Sequence, residues 1–402
     1  MGKRRNKNKA DREDFAIFSS VSHKTVAEVD SDDSDDASCI TYSTLDYDTR
    51  SITDEEGLTD TATPSDQLDG FLDRATNKNI LIRLDALGHI KTLLTKRYIA
   101  LDKWTFTLID ITDKALRKTD EEARVAASLS VLISVQLGEK IANEMEAVVS
   151  FLCQVCTDPA RNIQLRSQCA LSAALCALLC FEQPASILAS IATLRRIWFT
   201  TKSNASSVKL FCAALSGWSL LIHQGGPEAL RLALLDEPKL STFLDSTQLE
   251  MRLSAGKALA VLYEAAVMAF GDKYRFPNQQ HLVDIFANLT TDSLKSRAKR
   301  DRKIQKLMFR QMYAFIKTQE APVFDVRFSD ETLSIKSCRK KLLYELICGV
   351  LHGSINSHLK MNPILREQFD LGPTIEVAIQ NAINRTRDLQ RLKQRDKRTV
   401  CF

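Results

Sequence analysis

Glycine and proline are scarce in this chain of 402 residues, which contains only 13 and 9 of them respectively. All-β and doubly wound α/β proteins need more turn residues, so this scarcity favours helices joined by short turns. Long apolar runs are also missing, since the longest, at residues 170–181, is too short for a helix that spans a bilayer. The basic N-terminus lacks the apolar segment of a secretory signal. We therefore expect a soluble, mainly helical protein without a membrane partner.

Motifs for catalysis and cofactor binding are missing as well. The sequence has no glycine-rich phosphate loop and neither the H-E-x-x-H nor the G-x-S-x-G pattern. Its 6 histidines are scattered, and the C-x-x-C at Cys153 and Cys156 has no second cysteine pair with which to bind zinc. Most of the 10 cysteines stand in apolar helical text, as is typical of buried thiols in a reduced compartment. These absences predict a protein that is not an enzyme and has no cofactor, metal or small-molecule substrate.

The central part of the sequence repeats itself. Five segments align on one basic residue each, at intervals of 41, 42, 43 and 43 residues: Arg83, Arg124, Arg166, Lys209 and Arg252. Three positions later each segment has a small residue that allows close helix packing: Ala86, Ala127, Cys169, Cys212 and Ala255. The interval is that of HEAT and armadillo repeats, in which helix pairs stack into a curved rod with an extended concave surface. The basic residues either line that surface or cap and pair with the preceding repeat.

These patterns predict an all-α fold, an armadillo/HEAT-like helical repeat solenoid over residues 67–320 with a small C-terminal helical domain over residues 321–373. In the latter, VFDVRFSDETLSIKS alternates as in a hairpin. A short helix comes next, with Asn362 as N-cap, Pro363 as first residue and Gly372 as the left-handed residue after its end. Residues 1–66, first basic and then acidic, are predicted to be disordered, and residues 374–402 to form a basic amphipathic helix.

Two sets of basic residues follow helical spacing. They are Lys295, Lys299, Arg302, Lys306 and Arg310, and, near the C-terminus, Arg387, Arg391, Arg395 and Arg398. Such stripes attract phosphate backbones, and because few aromatic residues stand among them, folded RNA is favoured over a single strand held by base stacking. The alternative is that both stripes are solvated helix faces. A third basic cluster, between residues 3 and 12, fits an import signal, an RNA contact or a solubilising tail.

Three segments carry a resemblance to a known family: TDEEARVAASLSVLISVQLG, SRAKRDRKIQKLMFR and HLKMNPILREQFDLGP. Over nearly its whole length the chain resembles the interferon-related developmental regulators. The third segment is the most specific, and its residues that correspond to the family's short C-terminal domain are His358, Asn362, Arg366, Phe369, Leu371, Gly372 and Pro373. The resemblance implies an armadillo-like fold and no catalysis. Beyond residue 373 the sequence departs from the family in detail.

The resemblance implies one of two functions. One branch of the family binds ribosomes and holds them translationally inactive, with a C-terminal helix in the path of transfer RNA and messenger RNA. The expected partners are then ribosomal RNA and ribosomal proteins. Other members are transcriptional co-regulators, which would make this chain a nuclear scaffold whose concave surface binds transcriptional repressor complexes. Ribosome binding is the expected function and co-regulation the alternative, and together they place the protein in the cytoplasm and the nucleus.

Overall fold

The computed structural model describes residues 64–201, 205–291, 299–329 and 331–374. Its first eight helices are α1 (Pro64–Ala75), α2 (Ile80–Lys96), α3 (Thr105–Leu116), α4 (Asp120–Leu137), α5 (Ala142–Thr157), α6 (Ile163–Cys180), α7 (Pro184–Thr200) and α8 (Val208–Ile222). The next five are α9 (Gly226–Leu234), α10 (Glu237–Thr242), α11 (Leu249–Phe270), α12 (Gln279–Thr291) and α13 (Lys299–Thr318). The last elements are β1 (Phe324–Phe328), β2 (Glu331–Ile335), α14 (Cys338–Leu351), α15 (Ile355–Met361) and α16 (Pro363–Gln368).

The helices stack as a solenoid, which confirms the predicted fold class. A central layer is formed by α2, α4, α6, α8 and α11, each of which contacts the next. The helices α1, α3, α5 and α7 each pack on the central helix that comes after them in the chain, while α9, α10 and α13 pack on α11. Because each repeat buries its apolar face against its neighbours, the repeats share one continuous core.

Small residues allow the central helices to approach one another closely. Gly217 of α8 lies so near α6 that a methyl group in its place would be 2.5 Å from the Cβ of Ala174. The small residues predicted at the repeat positions are all buried, namely Ala86, Ala127, Cys169, Cys212 and Ala255. A small buried side chain therefore recurs at the same position of each repeat, where the dense core leaves little room for a larger one.

Three helical stretches are long and apolar enough to span a bilayer by length and composition alone: Asp120–Thr157, Ile163–Cys180 and Leu249–Phe270. The expectation drawn from the longest apolar run was wrong on this point, because the mean hydropathy of a helix tolerates a few polar residues, such as Gln168 and Ser172 in Ile163–Cys180. Within the fold, 72%, 78% and 56% of these apolar windows are buried. Such helices are apolar on nearly every side because they are covered by helices on more than one side.

Residues 319–374, named here the C-terminal strap, fold back over the repeats. The strap begins with the predicted hairpin, in which β1 and β2 pair antiparallel with Phe324 opposite Ile335. Helix α14 then contacts α2, α4, α8 and α11, and α16 contacts α4. Apolar strap residues such as Leu343 and Ile347 belong to the same core as the repeats. The open surface that we predicted along the repeats is therefore partly covered by the protein's own chain.

Candidate nucleic-acid interface

Helix α13 contains the described part of the first basic stripe. Arg310 is exposed and Lys306 half-buried, while Lys299 and Arg302 lie in the same helix and Lys295 falls outside the described residues. The side of the helix that faces the repeats is mainly apolar, and its buried apolar residues are Phe309, Met312, Phe315 and Ile316. Helix α13 is thus amphipathic, with the basic residue Arg310 on its solvent side.

A buried polar contact fixes the orientation of α13. The Arg252 side chain is only 2% exposed, and its Nε and Nη2 donate to the Gln305 side-chain oxygen at 3.2 and 2.8 Å. Its Nη1 donates to the Ser246 carbonyl at 2.5 Å, and Gln305 in turn donates to the Leu289 carbonyl at 3.2 Å. Because these bonds are directional and buried, they determine which side of α13 faces solvent.

The basic residues that begin the repeats have a structural role where their contacts are described. Arg83 donates to the carbonyls of residues 77 and 78 just after α1, at 2.9 and 2.7 Å, and to the Glu122 carboxylate at 2.7 Å. Arg166 donates to the Cys156 carbonyl at 3.1 Å, in the last turn of α5. These arginines satisfy carbonyls at the ends of preceding helices, which favours the capping alternative over a binding surface.

Glu264 of α11 receives the N-terminus of α14. Its carboxylate accepts hydrogen bonds from the N–H groups of Cys338 and Arg339, both at 2.9 Å, and from the Ser337 hydroxyl at 3.1 Å. A carboxylate is favourable there because the first N–H groups of a helix have no partner within the helix. Burial raises the pKa of Glu264, and the three hydrogen bonds oppose that shift. This contact fixes where the strap enters the central layer.

His358 and Asn362 attach α15 and α16 to the repeats. The Nε2 atom of fully buried His358 lies 3.1 Å from the Thr95 carbonyl, in the last turn of α2. Asn362 donates its Nδ2 to the Val135 carbonyl in the last turn of α4, at 2.8 Å. Its Oδ1 accepts the first free N–H groups of α16 at 2.9 and 3.3 Å, so the predicted N-cap is confirmed. One asparagine therefore starts α16 and joins it to the repeats.

Arg366 ties the end of the strap together. Its side chain donates to both carboxylate oxygens of Glu331, at 3.0 and 2.8 Å. It also donates to the carbonyls of Leu359, Gly372 and Pro373, at 3.0, 2.6 and 3.3 Å. Arg366 is 3% exposed, and the Arg366 guanidinium holds the pKa of the Glu331 carboxyl below its usual range. The hairpin, α15 and the turn after α16 are thereby held by one guanidinium.

Gly372 is not the left-handed residue that ends α16, so that prediction was wrong. The left-handed residue is Asp370, with a φ of 54°, two positions earlier. The N–H of Asp370 donates to the Glu367 carbonyl at 3.0 Å and that of Leu371 to the Arg366 carbonyl at 2.7 Å, which is a Schellman ending. Aspartate tolerates this conformation better than most residues, and its carboxylate also pairs with Lys340.

The structure brings the residues of the family motif together in one small region. The Phe369 ring is 4% exposed and lies edge-on to Tyr344, with the ring centroids 6.0 Å apart. The motif residues fall in α15, at the N-cap of α16, in α16 and in the turn after it: His358, Asn362, Arg366, Phe369, Leu371, Gly372 and Pro373. The second basic stripe lies outside the described residues: Arg387, Arg391, Arg395 and Arg398.

The cysteines of the described ranges are free thiols inside or near the core. Burial raises the pKa of Cys169 to about 12 and that of Cys176 to about 11, so both are protonated at neutral pH. In the C-x-x-C, the Cys156 thiol donates to the Cys153 carbonyl at 3.2 Å. Across the part of the chain that the structure describes, no three His, Cys, Asp or Glu side chains are placed to hold a metal ion.

The fold and the strap define a helical-repeat scaffold whose inner helices are partly covered by its own C-terminal segment. The model of the interferon-related developmental regulator family matches residues 29–317, and the chain belongs to this family. Interferon-related developmental regulator 2 of Mus musculus is 30% identical over 325 residues, covering 77% of this chain and 74% of the relative. Interferon-related developmental regulator 1 of Sus scrofa is 27% identical over 339 residues, covering 81% of this chain and 75% of the relative. These relatives are named as regulators rather than enzymes.

One solved structure of an engineered protein is also similar. It has 15% sequence identity and a TM-score of 0.40, and the match covers 61% of this chain and 97% of the engineered one.

Proposed function

We propose that this chain is a non-enzymatic regulator that binds ribosomes and holds them translationally inactive. Its partners would be ribosomal RNA and ribosomal proteins. Membership of the interferon-related developmental regulator family supports a regulatory role. The choice of the ribosome rests on the resemblance and on the charge of the C-terminal segment, where residues 385–398 contain seven Lys or Arg and two Asp. Phosphate backbones attract such a segment through release of their counterions.

The observation that carries the proposal is the fixed point from which the basic segment starts. Arg366 binds the carbonyls of Gly372 and Pro373, the last residues before Thr374 and residues 375–402. A basic segment with a fixed start can reach a defined position on a large partner, whereas one attached through a loose linker reaches many. A defined position is what occupation of the transfer RNA path requires, and Arg310 on α13 would supply a second contact with RNA.

Sedimentation of the protein with ribosomes through a sucrose gradient tests this function. Replacing Arg387, Arg391, Arg395 and Arg398 by Glu should abolish co-sedimentation and relieve inhibition of translation in a cell-free extract. The matched control replaces four exposed lysines outside the basic stripes by Glu, so that the net charge changes equally: Lys78, Lys96, Lys273 and Lys360. The control should sediment with ribosomes as the unmodified chain does. Equal sedimentation of both variants would remove the C-terminal stripe from the proposal.

Salt separates a phosphate contact from an apolar one in the same experiment. The affinity of the unmodified chain should fall steeply between about 50 and 200 mM salt, because each neutralised phosphate adds to the salt dependence. If the chain stays at the top of the gradient at every salt concentration, ribosome binding is wrong. The co-regulator alternative would then take its place. That alternative assigns protein partners to the concave surface, of which only the part that α14 leaves uncovered would be open to them.

A further inference from the structure

We propose that Arg366 is a positioning residue that fixes the turn at Gly372 and Pro373, from which the chain continues into residues 375–402. The inference rests on the proposed function, because a fixed turn matters only if that segment binds a partner. Arg366 need not touch RNA itself, since it is buried and its hydrogen-bonding groups are used within the protein. It acts on the segment through the backbone that precedes it.

Several parts of the strap meet at this one side chain. Arg366 bonds Glu331 at the start of β2, the carbonyl of Leu359 in α15, and the carbonyls of Gly372 and Pro373 in the exit turn. A guanidinium is planar and donates in fixed directions, so these partners cannot move independently of one another. A lysine at this position would supply one donor centre and could not hold all of them.

The clamp around Arg366 is itself fixed to the repeats. Asn362, four residues before Arg366, donates a hydrogen bond to the Val135 carbonyl. The Ile364 side chain packs on Gly138, the residue directly after α4. On the other side, Asp370 pairs with Lys340 in the first turn of α14. The exit turn thus has a fixed orientation relative to α4, α14 and the rest of the solenoid.

The rigidity of the exit turn affects the free energy of binding. When two basic surfaces bind one large partner, the second contact is intramolecular, and its strength depends on how well the connection holds the two in the right geometry. A rigid exit lowers the entropy that the segment loses on binding. Loosening the exit should therefore weaken binding without changing the number of phosphates that the segment contacts.

The test uses the full chain with Gly-Ser-Gly inserted between Thr374 and Ile375. The fold up to Thr374 keeps its contacts, so the thermal unfolding midpoint should be unchanged. Ribosome affinity should fall by about tenfold, while the slope of log affinity against log salt stays the same because the phosphate contacts persist. The matched control carries the same three residues after Arg398, and it should bind ribosomes as the unmodified chain does.

The variant Arg366→Lys links this effect to the proposed residue. Alone it should weaken ribosome binding to a similar extent as the insertion, and the two changes together should weaken it no further. If Arg366→Lys unfolds the chain, Glu331→Gln takes its place. Unchanged affinity in the insertion variant, or an equal loss in the control, would overturn the positioning role. Absence of binding by the unmodified chain would instead refute the proposed function, and the inference with it.

Discussion

The central layer of repeats and the C-terminal strap are held in the fold by different kinds of contact. Central helices such as α6 and α8 are buried through apolar and small side chains along nearly their whole length. The strap also buries apolar residues, but it is attached to the repeats by polar groups that are completely buried, namely His358 and Asn362. Arg366, which is also buried, joins the parts of the strap to one another. Apolar burial scales with area and has little direction, whereas a buried hydrogen bond demands one geometry.

The difference indicates a separate role for each region. Apolar stacking makes the repeats stable and fits the central helices closely together. The strap is fixed to particular carbonyls, those of Thr95 and Val135, near the ends of α2 and α4. A strap placed this specifically is suited to fixing the turn from which the chain continues into residues 375–402, as we propose for Arg366.

The largest loss of stability is expected from a substitution that replaces a hydrogen-bond donor between the strap and the repeats by an acceptor. Asn362→Asp keeps the oxygen that caps α16 but replaces the donor that meets the Val135 carbonyl by a second oxygen. A buried carboxylate facing a carbonyl should cost about 3 kcal/mol at neutral pH. Urea unfolding measures the loss, and hydrogen exchange shows where it falls. Amides of α15 and α16 should lose protection first.

Asn362→Ala is the companion to that variant. It removes the cap and leaves the carbonyl without its donor, so it should cost about 2 kcal/mol, less than the aspartate. If the alanine variant is the less stable of the two, the cap matters more than the link to Val135. The buried hydrogen bond from Asn362 to Val135 would then not be what holds the strap on the repeats, and the proposed difference between the strap and the central layer would be wrong there.

Two glycine-to-alanine substitutions in the central helices test the packing of the repeats. We expect them to change the free energy of unfolding by smaller amounts and in opposite directions. A methyl group at Gly217 would lie 2.5 Å from the Ala174 Cβ, whereas one at Gly88 in α2 meets no atom within 4 Å. Gly217→Ala should therefore destabilise the chain by about 1–2 kcal/mol through overpacking. The matched control Gly88→Ala should stabilise it by about 0.5–1 kcal/mol, because alanine favours a helix.

Thermal and urea unfolding of both variants decide the point. A stabilising Gly217→Ala would mean that α6 and α8 move apart at little cost, and that the central layer is looser than its close contacts indicate. Gly256 provides a second close contact, since its added methyl would meet the sulfur of Met312 at 2.7 Å and the ring of Phe309 at 2.9 Å. The Met312 side chain can move but the buried Phe309 ring has little room, so Gly256→Ala should also destabilise the chain.

Much of the solenoid could be predicted from the sequence because its signals are local. The small residue in each repeat is read within one or two turns of helix, and its return at intervals of about 42 residues is visible by comparing the segments with one another. The cap at Asn362, in the strap, is likewise a local signal. The placement of the strap could not be predicted from the sequence, because its contacts join residues that are far apart in the chain. Glu331 and Arg366 are 35 positions apart, and Glu264 and Arg339 are 75 apart. No spacing rule connects such pairs.

One signal of the strap was nevertheless present in the sequence. Helices that need only one covered face alternate apolar and polar residues with helical period, but α4 reads ARVAASLSVLISVQL, with few charges after its first turn. Such a helix must be covered on more than one side, and the strap supplies part of that cover. The position of the left-handed residue was missed because glycine is the usual choice, whereas Asp370 fills that role here.

The smallest expected effect concerns the pH dependence of the strap. Burial lowers the pKa of His358, while hydrogen bonding to the carbonyls of Thr95 and Leu94 opposes the shift. The unfolded chain, whose histidine has a pKa of about 6.5, therefore takes up the proton first as pH falls. Stability that His358 contributes at neutral pH should be lost on acidification below that value. Protonation would also place a second N–H against the Asn362 Nδ2, which lies 3.5 Å from His358 Nδ1.

The contribution of His358 is measured by urea unfolding at pH 7.5 and 5.5, as the difference in stability between a His358 variant and the unmodified chain. A difference is needed because other groups also titrate: His223 and His352 have lowered pKa values and the pKa of Glu264 is raised. His358→Gln should be less stable than the unmodified chain at pH 7.5, and this gap should narrow at pH 5.5. Leu343→Ala is the control, because it weakens the packing of the strap on the repeats without removing a titrating group, so its gap should be equal at both pH values. An equal gap for His358→Gln would mean that the strap is insensitive to the charge of this histidine.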